Sequence, residues 1–310
     1  MTPGQKSGTD ISAEGPTAMN ARSGLVVAAL IILLAEAGLG GAWPRKARSA
    51  YLQVGFSTIG YEKVYDASSA KVPAPGTVRD NVLQLSAEYG LTDRLTVGVA
   101  VPFGFLSARD YVNPFLRTGT APMVPSPPAE VSASGIGDLV ATAQMELLRQ
   151  GGSVLSAGLL FGFPTGDTTN TDGLWLGDGE FNVAPRILYG LSLYPLPMYL
   201  SADLGYNIRG QGYSDEIFGA LEAGYGLFES RLYAIVQLSV QKSTNTEPSR
   251  DIPAARLGFY NNNREFVAIT PKILYKFESG LGVVLSYATA TSGRNVAGGA
   301  VLAGSVFYEL

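Results

Sequence analysis

The chain has 310 residues, of which 46% are hydrophobic and only 15% charged, with a formal net charge of −4 and no cysteine or histidine. Missing cysteine excludes a disulfide framework and thiolate metal sites. Missing histidine excludes a Ser-His-Asp triad, a histidine base and histidine-ligated zinc, and an acidic balance argues against a nucleic-acid partner. Soluble domains carry about a quarter charged residues. This chain falls well short of that, yet no apolar run after residue 50 approaches the roughly 20 residues of a membrane helix.

The amino terminus carries one true apolar run. Leu25 to Leu34 follows Arg22 and precedes small residues, with cleavage candidates at Ala35-Glu36-Ala37 and Gly40-Gly41-Ala42. Basic start, short apolar centre and small-residue exit read as a secretory signal peptide. Residues 1–42 are therefore expected to be a leader, cleaved near 37 or 42, with Met19 as a second possible start. A membrane anchor is the competing reading, and the run is short for it.

From residue 50 onward the pattern changes to alternation. In Leu95-Thr96-Val97-Gly98-Val99-Ala100-Val101 the larger apolar residues take every second place. A period of two marks a strand with two different faces. The same pattern recurs from Leu52-Val54-Phe56 to Val306-Tyr308-Leu310, giving twelve expected strands near the 9–11 residues that cross a bilayer at a tilt. Pro185 and Pro271 fall inside two of them and count against those strands, because proline removes a ladder donor; a bulge at each would accommodate them.

Connections are short near residues 91, 150, 193, 229 and 279. They are longer and richer in Pro, Asn, Asp, Ser and Gly near 62–80, 104–135, 164–179, 209–216, 242–264 and 291–296. Alternating short and long connections are how periplasmic turns and extracellular loops are written. Ala121 to Pro128, with four prolines, is expected as an exposed loop over the mouth. Tyr89, Tyr189, Tyr225, Tyr275 and Tyr308 fall near one end of the strands, and Phe56, Phe103, Phe163, Phe181, Tyr206 and Tyr287 near the other. Two belts of rings suit two headgroup boundaries. The expected fold is an all-β, antiparallel up-and-down transmembrane β-barrel over residues 50–310, in the outer membrane of a Gram-negative bacterium. A soluble sandwich is the alternative.

Gly135-Ile136-Gly137-Asp138-Leu139 precedes one strand, and Phe163-Pro164-Thr165-Gly166-Asp167 ends the next. With Ser292-Gly293-Arg294-Asn295, these segments resemble the outer-membrane family labelled "Putative MetA-pathway of phenol degradation". That resemblance covers roughly residues 50–310 and implies a transport barrel for small, often aromatic, compounds. Physically the motifs read as strand-end turns, since Gly tolerates positive φ and Asp bonds its own backbone. The closing Val306-Tyr308-Leu310 resembles the terminal signal read by barrel-assembly machinery, with leucine where phenylalanine is commoner.

If the apolar set faces lipid, the complementary set lines the lumen. Its charged members, Glu88, Glu146, Arg186, Asp203, Glu222, Lys272 and Lys276, are the expected lumen or constriction residues. Glu146, Arg186, Glu222 and Lys272 fall at comparable depth, as a ring of mixed sign. Such a ring either sets a transverse field for passing solutes or pairs off and closes the pore. Inward glycines, including Gly158, Gly205, Gly224 and Gly282, are expected to leave room.

The acidic stretch Asp167 to Asp172, with Asp178 and Glu180, lacks full calcium-loop spacing and reads as a surface loop. Neither catalytic residues nor a metal or cofactor is expected. The expected function is passive uptake of small organic solutes, aromatic or hydrophobic, through an outer-membrane channel. Expected partners are outer-membrane lipids, the solute and the assembly machinery. A closed structural or partner-binding barrel is the alternative.

Overall fold

The computed structural model describes residues 41–111, 129–170, 174–245 and 262–310. The expected leader up to residue 40 and the proline-rich stretch Ala121 to Pro128 lie outside the described residues. Among the described residues fourteen strands form one antiparallel sheet: β1 (Ala50–Tyr65), β2 (Lys71–Gly90), β3 (Leu95–Tyr111), β4 (Ala129–Ile136), β5 (Leu139–Gln150), β6 (Ser153–Phe163), β7 (Asn182–Ser192), β8 (Met198–Arg209), β9 (Glu216–Leu227), β10 (Leu232–Ser243), β11 (Glu265–Lys276), β12 (Leu281–Arg294), β13 (Val296–Ala297) and β14 (Ala300–Glu309).

Two staves are broken. β4 and β5 both pair with β3, and β13 and β14 both pair with β1. The result is a closed twelve-stave barrel, because β1 pairs with β14 on one side and β2 on the other. Closure leaves no unpaired edge in lipid, where each orphaned backbone group costs several kcal/mol.

Alternation sets which face is which. Leu204, Leu221 and Leu285 are 60–63% exposed on the outside, while Ser156, Thr270 and Gln241 are at most 2% exposed inside. Both prolines face outward, as the register expects. Neither sits at a bulge. Each keeps its pairing on one side, Leu159 to Pro185 and Val236 to Pro271. The ladder skips on the other side, where β7 jumps from Val183 to Arg186 and β11 from Ile269 to Lys272. A lipid-facing proline therefore removes one donor without breaking the stave.

The expected loops at 62–80 and 104–135 are shorter than read, because strands continue through them. β1 runs to Tyr65, β2 starts at Lys71, β3 reaches Tyr111 and β4 begins at Ala129. Above the lipid belt the amphipathic pattern inverts: Gly60, Glu62 and Arg79 face out while Ile59, Tyr61 and Val78 are buried inside. No lipid demands apolar residues there, so apolar alternation on the outer face ends before the strand does.

The inward glycines do not leave open space either. A Cβ at Gly224 would come within 2.1 Å of the Tyr199 ring, at Gly205 within 2.2 Å of Phe218, and at Gly282 within 2.1 Å of Phe307. Each seats a neighbouring strand's ring flat against the wall.

Candidate functional site

The lumen holds a chamber of about 760 Å³ that runs from Ser230 and Glu309 at the periplasmic end up to Glu216 and Arg264 near the mouth. Inward parity on β7 to β11 delivers its charges, which pair either with the next strand or across one. Arg186 on β7 donates from Nη1 to Oδ2 of Asp203 on β8 at 3.1 Å. Lys272 Nζ on β11 reaches Glu222 Oε2 on β9 at 3.2 Å, and the Tyr199 hydroxyl donates to the other Glu222 oxygen at 2.8 Å. Buried ions persist when paired and hydrogen-bonded in this way. Rings line it as well, Tyr199, Phe218 and Tyr233 on the charged wall and Tyr51 and Phe307 on β1 and β14.

The segment before β1 enters this chamber. Gln144 Nε2 donates to the Gly41 carbonyl at 2.9 Å and Ser156 Oγ to the Ala42 carbonyl at 2.8 Å. Trp43 lies over Gly190, where a Cβ would meet its ring at 2.6 Å, and packs edge-on to Tyr199 at 5.9 Å. Arg45 then clamps the seam of the barrel. It contacts Glu88 on β2 at 2.6 Å and Glu309 on β14 at 2.9 Å, with its guanidinium 4.4 Å over the Tyr51 ring. A charged stem over an aromatic face, held by two carboxylates, fixes the segment against the wall.

The extracellular mouth is built differently. Arg209, with no exposed side-chain surface, contacts Asp178 at 3.1 Å, Glu216 at 2.9 Å and Glu180. Arg264 pairs with the second Glu216 oxygen at 2.8 Å. Asp178 and Glu180 belong to the chain between β6 and β7, which folds inward. Their end of that segment is thus buried, where a surface loop was expected, because the two acids reach two arginines the spacing does not reveal. Asp172 lies outside the described residues, and Asp167 serves as a turn, accepting from Thr169 N at 2.8 Å.

Asp138 pins the same segment by accepting from the backbone N–H of Gly166 at 2.9 Å and of Asp178 at 2.8 Å. Thr165 Oγ1 donates to the Gly137 carbonyl at 2.7 Å. The two glycine-aspartate motifs therefore face each other as a latch, beyond their role as turns. Burial, reinforced by the Asp178 charge, pushes the Asp138 carboxyl up to about 7. Burial also pushes Glu180 up to about 8, against the pull of Arg209.

Of the residues expected in the lumen, Arg186, Asp203, Glu222, Lys272 and Lys276 line the one chamber. Glu88 reaches it through Arg45, and Lys276 pairs with Glu309. Glu146 does not join them: it turns to Arg149 at 2.7 Å, at its own hairpin end, where a register shift separates Glu146 from Leu148. Sequence reasoning missed Trp43, Arg45, Arg209, Arg264 and Glu309. Parity would have put Arg209 and Glu216 inside; nothing in the pattern places Trp43 or Arg45.

The family model described as "Putative MetA-pathway of phenol degradation" matches residues 63–304. The chain belongs to this family. No curated protein matches it. Among solved structures it is similar to the COG4313 outer membrane channel from Pseudomonas putida F1, with a TM-score of 0.68 and 17% identity over 87% of this chain and 98% of that one. It is less similar to the NanC porin, at TM-score 0.49 and 8% identity over 84% of this chain and 100% of that one. The Pseudomonas putida toluene transporter TodX stands at TM-score 0.42 and 10% identity over 93% and 94% of the two chains. The first likeness concerns the fold, and the latter two decide nothing. The fold is that of a Gram-negative outer-membrane barrel, and the outer membrane is where the protein resides.

Proposed function

We propose that the protein is a passive conduit for small organic solutes, aromatic or hydrophobic, across the outer membrane. The observation that carries this reading is the ring-lined lumen chamber of about 760 Å³, within the range of small-molecule sites. Its charges stand as neighbouring opposite pairs, so a neutral molecule meets rings and local dipoles without facing a net charge. Arg186, Asp203, Glu222, Lys272 and Lys276 form its selective wall, Glu88 acts by holding Arg45, and Glu146 belongs to the rim. The family's description, with its reference to phenol degradation, agrees with an aromatic cargo. The barrel performs no catalysis and needs no cofactor.

Residues up to 37 are a leader removed on export. The Gly41 and Ala42 carbonyl contacts favour cleavage after Ala37 over cleavage after Ala42, because the later cut would discard both. The intact mass of the mature protein decides between them. Assembly machinery inserts the barrel through its closing strand, and lipid covers the outer face.

Conductance in planar bilayers and swelling of proteoliposomes in organic solutes test the conduit. Absence of both with folded protein would sink it and leave the closed, structural or partner-binding barrel. That second reading draws on the segments that narrow each end, Gly41 to Arg45 below and Leu174 to Glu180 above.

A further inference from the structure

The extracellular third of the lumen breaks the rule that a barrel interior is polar. Ile59, Val64, Val78, Val82, Leu106 and Phe266 turn inward there and are buried in a single apolar cluster. The wall does not fill the cluster by itself. Leu174 and Leu176, from the inward-folded segment between β6 and β7, are 0% and 6% exposed inside it. Gly104 and Gly135 make the bed for Leu176: a Cβ on either would stand within 3.1 Å of its methyl groups.

A second observation lies on the same wall. Asp80 occupies the inward position between Val78 and Val82, cross-strand from Ile59 and Leu106, and is 6% exposed. It lies at the upper edge of the lipid belt, one residue beyond the row of Thr58, Leu302 and Tyr287. No donor or basic group among the described residues meets its carboxyl. A buried carboxyl without a partner costs free energy in any packed core. At a site that must receive a polar handle, it is the receiving group.

We propose that this cluster is a solute site for an apolar molecule bearing one hydroxyl or amino donor. Leu174 and Leu176 occupy the place of its hydrocarbon body, and Asp80 accepts its donor. The inference rests on the conduit reading, to which it adds an entry station above the chamber. A solute entering displaces the two leucines, and the Asp138 latch keeps the displaced segment tethered.

The test is equilibrium binding to the full barrel in lipid nanodiscs, with empty discs as background. The probes are N-phenyl-1-naphthylamine, which carries one N–H, and 1-phenylnaphthalene, which carries none. Leu174→Ala with Leu176→Ala should tighten both by about tenfold, because the competing side chains are gone. Asp80→Val should weaken only the amine, by about fivefold. 1-Naphthol against 1-naphthylamine then separates hydroxyl from amino donors.

A spin label on Thr169→Cys, in a chain without other cysteines, supplies a readout in the otherwise native barrel. Its spectrum should become more mobile when the amine probe is added. Equal responses of both probes to Asp80→Val, no gain in the double alanine variant, or a spectrum unmoved by probe would each overturn the site. Solute flux measured on the wild-type barrel keeps the two readings apart. Flux without the binding pattern removes only this site, and the binding pattern without flux removes only the conduit.

Discussion

The two ends of the lumen solve the same problem with opposite chemistry. From the lower end up to Glu216 and Arg264 space remains open, and charges of both signs line it in pairs, Arg186 with Asp203 and Lys272 with Glu222. Above, the space is filled: leucines occupy an apolar cluster and Arg209 gathers three carboxylates beside it. Both ends are narrowed by chain that is not part of the staves, yet the lower segment lies along the wall while the upper one is packed into it. The difference teaches that local polarity does not decide openness. What decides it is whether inserted side chains fill the volume the wall leaves.

The largest expected effect tests the upper end. Arg209→Ala strands Glu180, Glu216 and Asp178 without their shared counter-charge, and breaking a buried pair costs about 3–5 kcal/mol. Urea unfolding of the barrel should register a loss of that order; a midpoint unmoved from wild type would mean the cluster is not the anchor described. The lower end is tested by removing residues 41–46. Single-channel conductance should rise severalfold while strand content by circular dichroism stays unchanged, since all twelve staves begin at or after Ala50. Equal conductance with and without the segment would show that it does not obstruct the path.

Charge reversal sharpens the contrast. Lys272→Glu places two carboxylates together in the open chamber, and the reversal potential should shift toward cations by a few-fold in permeability ratio. The corresponding change Arg264→Glu, where the chamber meets the mouth cluster, should alter stability more than selectivity, because it also strands the buried Glu216. A selectivity change in the second variant and none in the first would invert the assignment of open and filled ends.

Two smaller effects probe the latch. A Cβ at Gly177 would stand 2.3 Å from Asp138 Oδ1, so Gly177→Ala should loosen the segment by roughly 1–2 kcal/mol, read as greater mobility of a spin label at residue 169. The pH response is smaller still. Asp138 and Glu180 both titrate above the usual carboxylate range, so the folded mouth binds protons more tightly than the unfolded chain. Their contribution is fully present below about pH 4, the unfolded value. It is lost as pH rises through 7 and 8, so the label should be more mobile at pH 9 than at pH 6. Greater mobility at the acid end would assign control to Glu216, which pairs with both arginines.

How much of this was readable from the chain follows from what each pattern had to satisfy. Alternation in Leu95 to Val101, or in Leu232 to Val240, answers to lipid on one face, and lipid tolerates no exceptions; those strands and their faces were therefore legible. Inward parity likewise brought Arg186, Asp203, Glu222 and Lys272 to one surface. Glu146 shares that parity and still left the group, because a register shift and Arg149 three residues on turned it toward its hairpin. Above the lipid, strands β1 to β4 kept their ladder without the outer apolar code, and they read as loops.

The sequence by itself determined a closed, amphipathic sheet, its compartment and which side chains face inward, because a two-residue period is local and the bilayer enforces it. Tertiary structure alone decided what fills the interior. Arg45 bridges the seam at β1 while Trp43 packs on β7 and β8, and Leu174, Leu176 and Asp178 enter the mouth from a segment with no period. Those contacts join residues far apart in the chain through space that only the closed barrel creates.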